Sequence, residues 1–240
     1  MADTTAKADD STEHFGTGAI QSPPDDRDFT FEQLVTASGQ ELTASLPSTF
    51  LMTGLAPILN QGNTPMCVAY CTSGMKGYQD RKDQGKFFNF DEPRFFSLIG
   101  GGPNGSTVRV GLDRLLKAGY PVVGVGDPGH HRIAGYYAIP KAQNTLMQAV
   151  HDFGPLLVST PWYHSWFHPV GTGGNVKLPP PDYSVGGHAI QATGYNPTGL
   201  VLRNSWGTSW GYHGSVTMPW AYVLHSVWEV WKALDVIDKK

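Results

Sequence analysis

The sequence predicts an α+β fold of two lobes, on three observations. Amphipathic helical segments crowd the middle of the 240-residue chain, and short strand candidates separated by Gly, Pro and Asn turns crowd its final third. With 29 glycines and 18 prolines, connections are many and long regular elements few. A chain of this length buries one large core or two modest lobes.

Taken in order, residues 1–44 are rich in Asp, Ser, Thr, Gly and Pro and read as an extended or disordered arm. Only "RDFTFEQLV" there is apolar enough to dock, through Phe29, Phe31, Leu34 and Val35. "LPSTFLMTG" reads as an entry strand. A helix follows, with Thr64 as N-cap, Pro65 at its first position and Gly85 as its stop. Arg81 and Lys82 near its end suit the helix dipole. Gly74 and Gly77 weaken it and leave room for another backbone to pack close. Further helices are expected at "DEPRFFSLI", "TVRVGLDRLLKA" and "NTLMQAVHDFG". "PLLVST", "HAIQATGY", "GLVLRNS" and "GSVTMPW" read as strands. The expected division is an arm over 1–44, a candidate regulatory segment, then a domain over 45–225 and a C-terminal segment over 226–240. Within the domain, the helical lobe spans about 55–140 and the β lobe about 141–225.

Composition excludes several function classes. A net charge of −3 without a Lys/Arg block argues against nucleic-acid partners, and no apolar run reaches membrane length. The polar, acidic N-terminus is no secretory signal, so synthesis in the cytosol is expected. Neither cofactor nor metal is expected. His164 and His168 have i,i+4 spacing, but prolines and the lack of acidic neighbours argue against a metal site there.

Both cysteines lie within five residues, Cys67 and Cys71. On one helix this spacing does not favour a disulfide, so both read as thiols. Cys67 falls in the first turn, where unpaired N–H groups and the dipole favour thiolate. A thiolate nucleophile needs a proton partner. Of nine histidines, His188 stands apart, at the start of a strand after two glycines. The Asn204 carbonyl is placed to orient its ring, Trp206 to shield that bond from water, and Gln61 to donate to an oxyanion together with the Cys67 N–H. Cys71, one turn deeper, reads as a core thiol.

"QGNTPMCVAY", "GGHAI" and "RNSWGTSWG" together resemble the papain-like C1 cysteine peptidases. The resemblance covers about residues 45–225. It implies a papain-like two-lobed fold, a helical lobe and an antiparallel β-barrel-like lobe with the active-site cleft between. It also implies Cys67 as nucleophile, His188 as general acid/base, Asn204 as its orienting residue and Gln61 as oxyanion donor. Asn104, Gly105 and Ser106 are similar to the family's substrate-clamping segment. Gly187, Trp206 and Trp210 are the other substrate-side residues implied. The activity implied is hydrolysis of peptide bonds, of endopeptidase type, through a thioacyl-enzyme; an amidase or transpeptidase, or a silent peptide-binding protein, would use the same scaffold. Its partners would be peptide or protein substrates and a self-inhibitory N-terminal arm. His188 follows Cys67 by 121 residues (188 − 67) and Asn204 by 137 (204 − 67), against about 130–150 in the family. "SPPDDRDF" looks like the N-terminus of prokaryotic members. Departures are the missing cysteine before the nucleophile, Val68 where a Trp is usual, and Gly187 where an Asp is frequent.

Overall fold

The computed structural model describes residues 15–125 and 130–236, so the reading of residues 1–14 as the start of the arm and of 237–240 as the chain's end lies outside the described residues. The arm is only partly extended. Its strand β1 (Ala19–Ile20) is followed by helix α1 (Phe31–Ser38), then β2 (Phe50–Leu51). Helix α1 forms because Thr30 and Gln33 make a reciprocal capping box, and Gly39 closes it in a left-handed conformation. Its Leu34 is wholly buried.

Four segments expected to be helical are α2 (Cys67–Gln84), α3 (Glu92–Leu98), α4 (Val108–Ala118) and α5 (Gln143–Phe153). Asp91 and Thr107 cap α3 and α4 through side-chain oxygens, and Gly85 (φ 74°) ends α2. Gly74 admits the Gln191 side chain rather than a backbone: a methyl group there would collide with the amide that Gln191 donates to the Cys71 carbonyl (2.7 Å). Buried Lys76 pairs with Asp80 (2.8 Å) and with Asp235, and Asp80 also meets His131 Nδ1 (2.6 Å). That network ties α2 to the sheet in a medium where an unpartnered charge would be costly.

The short strand β3 (Ser106–Thr107) pairs in parallel with β1. The remaining strands are β4 (Ile133–Ala138), β5 (Leu156–Tyr163), β6 (Ser184–Tyr195), β7 (Gly199–Arg203), β8 (Ser215–Pro219) and β9 (Glu229–Asp235), with α6 (Trp220–Ser226) before the last. They form a sheet in the order β4-β9-β5-β6-β7-β8, with β2 on β6, and every pairing is antiparallel. The barrel-like closure expected of this lobe is not found: among the described residues nothing joins β8 to β4. The reason is that helices cover both faces. Leu156, Val158, Ile190 and Val230 point into a core shared with α1 and α5. Alternate residues Leu157, Ala189 and Trp231 point into a second core with α2, α3 and α4. A sheet buried on both sides has no need to curl onto itself. The helical and β regions also interleave: β4, within the stretch expected to be mainly helical, pairs with β9, and α5, a helix expected from its sequence, precedes β5 in the mainly β stretch.

Truncating Leu34 tests whether α1 is integral to this core. Leu34→Ala should lower unfolding stability by about 2–5 kcal/mol, read from denaturant midpoints. A loss below about 0.5 kcal/mol would mean the helix rests on the surface.

Candidate active site

Gln61 and Cys67 flank a tight turn. Helix α2 begins at Cys67, with Met66 at the cap position and no side-chain cap. The expected cap, Thr64, instead donates its hydroxyl to the Gln61 carbonyl (2.7 Å), and Pro65 precedes the helix. Without a capping oxygen, the first-turn N–H groups are left for whatever enters the cleft. The Gln61 side chain is oriented from behind. Ser205 Oγ donates to Gln61 Oε1 (2.6 Å), which turns the amide NH2 toward the Thr64 carbonyl (2.9 Å) and the Gly16 carbonyl (3.1 Å).

His188 lies on β6, fully buried. Its Nε2 is 2.8 Å from Asn204 Oδ1. The same Oδ1 accepts from the Ser205 backbone N–H (2.8 Å), and since a backbone nitrogen only donates, this atom is the amide oxygen. Nε2 therefore carries the proton, and Nδ1 is the lone-pair nitrogen. Among the described residues Nδ1 is buried without a hydrogen-bond partner. Trp206 stacks on the ring (4.5 Å, 29°) and Trp162 meets it edge-on (4.8 Å, 67°). Both indoles pack on the ring that Asn204 holds. Trp162 was not anticipated, because a strand tryptophan carries no motif that distinguishes it from core.

A backbone strand occupies the cleft between these groups. Gly16 N–H donates to the Gly62 carbonyl (2.9 Å), and the Gly16 carbonyl accepts from both Gln61 Nε2 and Trp206 Nε1 (3.1 Å each). Gly18 N–H donates to the Gly187 carbonyl (2.8 Å), and Ser106 N–H donates to the Gly18 carbonyl (2.9 Å). Side chains at Gly16 and Gly18 would collide with the Thr64 and Pro65 carbonyls. Farther along, Ser22 Oγ donates to Glu229 Oε1 (3.0 Å), while Arg109 holds the Pro23 carbonyl and Asp28. Gly105, Ser106, Gly187 and Trp206 thus all touch the arm: Gly105 (φ 90°) lets the Gly18 carbonyl approach. Asn104 is exposed on the preceding turn. Trp210 stands behind Trp206, edge-on at 5.4 Å and 3% exposed, rather than lining the cleft. Ser205, Glu229 and Arg109 escaped the sequence reading, since their roles exist only once distant segments meet.

Burial sets the electrostatics. Burial pushes the Cys67 thiol up to about 12, against the backbone N–H groups of Ala189, Val68, Cys67 and Gly18, which favour thiolate. The same contacts bring the sulfur next to the peptide following His188. Burial also lowers His188 to about 4, against the Asn204 bond, which favours the cation. Thiol and imidazole are both neutral beneath the arm. Cys71 is raised well above its ordinary value by burial alone in the main, consistent with a core thiol.

The fold is papain-like. A model of the papain family cysteine proteases matches residues 126–222. Digestive cysteine proteinase 1 of Homarus americanus is 26% identical over 188 residues, covering 68% of this chain and 58% of that protein. The Cathepsin L-like peptidase of Aedes aegypti is 24% identical, covering 68% and 55%. The chain thus spans under two thirds of the length of these relatives. Xylellain, a cysteine protease from Xylella fastidiosa, superposes with a TM-score of 0.75 at 21% identity over 93% of this chain and 97% of that one. Procathepsin L2 from the Tenebrio molitor larval midgut gives 0.73 at 18% identity, over 95% and 80%. The chain has a papain-like fold, and its second half matches the papain family cysteine protease model.

The depressed His188 value carries a sign. Between pH 6.5 and 4 the unfolded chain binds a proton at His188 that the folded chain refuses, so stability falls as pH drops through this window. The slope is at most about 1.4 kcal/mol per pH unit. Denaturant midpoints at several pH values should fall more steeply in the wild type than in His188→Gln. Parallel curves would mean that His188 is not held neutral.

Proposed function

We propose that this protein is a cysteine peptidase whose own N-terminal arm occupies the substrate cleft. The carrying observation is the extended Gly16–Gly18 backbone, held on both sides by backbone hydrogen bonds and beside Cys67, where a peptide substrate would lie. Cys67 is the nucleophile. His188 Nδ1 takes the thiol proton and later delivers it to the leaving amine. Attack on a peptide carbonyl forms a tetrahedral oxyanion, which Gln61 Nε2 and the Cys67 N–H stabilise. Collapse releases the amine and leaves a thioacyl-enzyme; water, activated by His188, then hydrolyses it. Asn204 acts through His188 by fixing its tautomer. Gly105, Ser106, Gly187 and Trp206 hold the substrate backbone.

The arm restrains this chemistry in two ways. It fills the cleft, and its burial of Cys67 and His188 disfavours the charged pair that attack requires. Segments 15–22 and 31–38 divide the work: the first covers the cleft, and the second anchors the arm in the sheet core.

Hydrolysis of a mixed peptide pool by the full-length chain tests the reading. Cys67→Ala should abolish cleavage, and Gln61→Ala should lower kcat by about 10²–10³ with a smaller change in KM. Gly18→Ala, whose methyl group collides with the Pro65 carbonyl only when the arm is seated, should raise the initial rate about tenfold or more. Cleavage undiminished in Cys67→Ala would end the peptidase assignment. A Gly18→Ala rate equal to wild type would end arm restraint. Adding an amine acceptor separates hydrolysis from transfer, since a transpeptidase would divert its product to the amine.

A further inference from the structure

The cleft does not end at the Gly16 carbonyl. Phe15, the residue before it, lays its ring on Trp206 at a centroid distance of 4.8 Å and an interplanar angle of 16°. Phe167 lies on the same side, 6.3 Å and 23° from Phe15 and 5.5 Å from Trp206. The Phe15 position is fixed by its neighbour, since Gly16 is held through both its N–H and its carbonyl. The walls are fixed independently of the arm. Trp206 is wedged against His188, Trp162 and Trp210, and the Phe167 backbone carbonyl accepts from Trp210 Nε1 (3.2 Å). Phe167 and Trp206 already touch each other, so with the arm withdrawn they would be left as one shallow aromatic slot, floored by the Trp206 face and edged by Phe167, one residue from the Gln61 amide.

We infer that Phe167 and Trp206 form an aromatic slot that selects an aromatic side chain in peptide substrates, with Phe167 the specificity-determining residue. The inference rests on the peptidase reading. A flat ring gains both buried area and offset stacking there, whereas an alanine gains neither. The neighbours in this end of the cleft are chiefly rings. The charged group nearby, Asp182, is turned toward His164 (3.4 Å), which meets Phe167 edge-on at 6.5 Å, so the rings in contact with Phe15 are Trp206 and Phe167. Phe15 is a stand-in for the substrate residue: the arm fills the slot with the chemistry it is shaped to accept.

Competition among peptides in one reaction tests this on the full-length chain. Each peptide's kcat/KM is scaled by the same fraction of molecules with the arm open, so that fraction cancels from the ratio. Peptides carrying Phe, Tyr, Leu or Ala at each position around the cleaved bond are mixed, and products are counted by mass spectrometry. In the wild type, one position on the Trp206 side of the bond should favour Phe or Tyr over Ala by roughly tenfold to a hundredfold. Phe167→Ala should reduce that ratio to within a few-fold of unity and leave the ratios at other positions unchanged. Phe167→Leu, which keeps bulk but not a flat face, should fall between and guards against a misfolded alanine variant. Cleavage with no aromatic preference, or a preference that survives both substitutions, overturns the slot alone. A wild-type chain that cleaves nothing overturns the peptidase reading and the slot with it.

Discussion

The pair of hydrogen bonds that clasp Gly18, from its N–H to Gly187 and to its carbonyl from Ser106, is the constraint on which the rest of the site depends. One comes from a β6 residue and the other from β3, beside the helix α4. A single extended residue therefore bridges the sheet and the helical side above Cys67. Because both partners are backbone groups, the strand is held through its main chain and not through its side chains. The glycines at 16 and 18 let the strand lie deep enough to bury the sulfur. Burial raises the Cys67 thiol beneath this strand and lowers His188 between its two indoles, so both groups are held neutral.

Around this strand, each catalytic candidate is fixed by a group whose own position is fixed. Ser205 lies at the centre of that arrangement. Its hydroxyl orients Gln61, its N–H identifies the Asn204 oxygen, and its carbonyl accepts from the Gln61 N–H (2.9 Å). The Gln61 and Asn204 amides are thereby locked to one another through one residue. Behind them, α2 is held by the Lys76–Asp80–Asp235 network and the Gln191 clasp at Gly74, so Cys67 projects from a helix that cannot shift without exposing buried charge.

The main helices and the four strongest strands were legible because their turn and cap signals are local: Asp91, Thr107, Gly85, Gly119 and Gly154 mark boundaries where the structure has them. Cys67, His188, Asn204 and Gln61 could be nominated because each sits in a short, recognisable setting, and the structure brings all four into one neighbourhood. Helix α1 carried a readable signal, the Thr30–Gln33 capping box, which is outweighed in composition by its polar surroundings. Strand β9 was hidden for a different reason. β9 buries four consecutive residues, Val230 to Ala233, with both faces covered, so it lacks the alternation that marks a half-exposed strand. The seating of Gly16 and Gly18 could not be read at all, since a slim backbone announces a close approach without naming what is approached. Nor could Phe167 be told from an ordinary core ring before Phe15 lay beside it.

The reactivity of Cys67 in the intact chain tests the central claim most directly. A small alkylating reagent added at neutral pH, with the modified position located by peptide mapping, reports whether the sulfur lies beneath the arm. The account predicts that Cys67 in the native full-length chain reacts at least a hundredfold more slowly than in the unfolded chain, about as slowly as the core thiol Cys71, and that Gly18→Ala speeds Cys67 alone. Rapid labelling of Cys67 in the native wild type, at or above the rate of the unfolded chain, would contradict it.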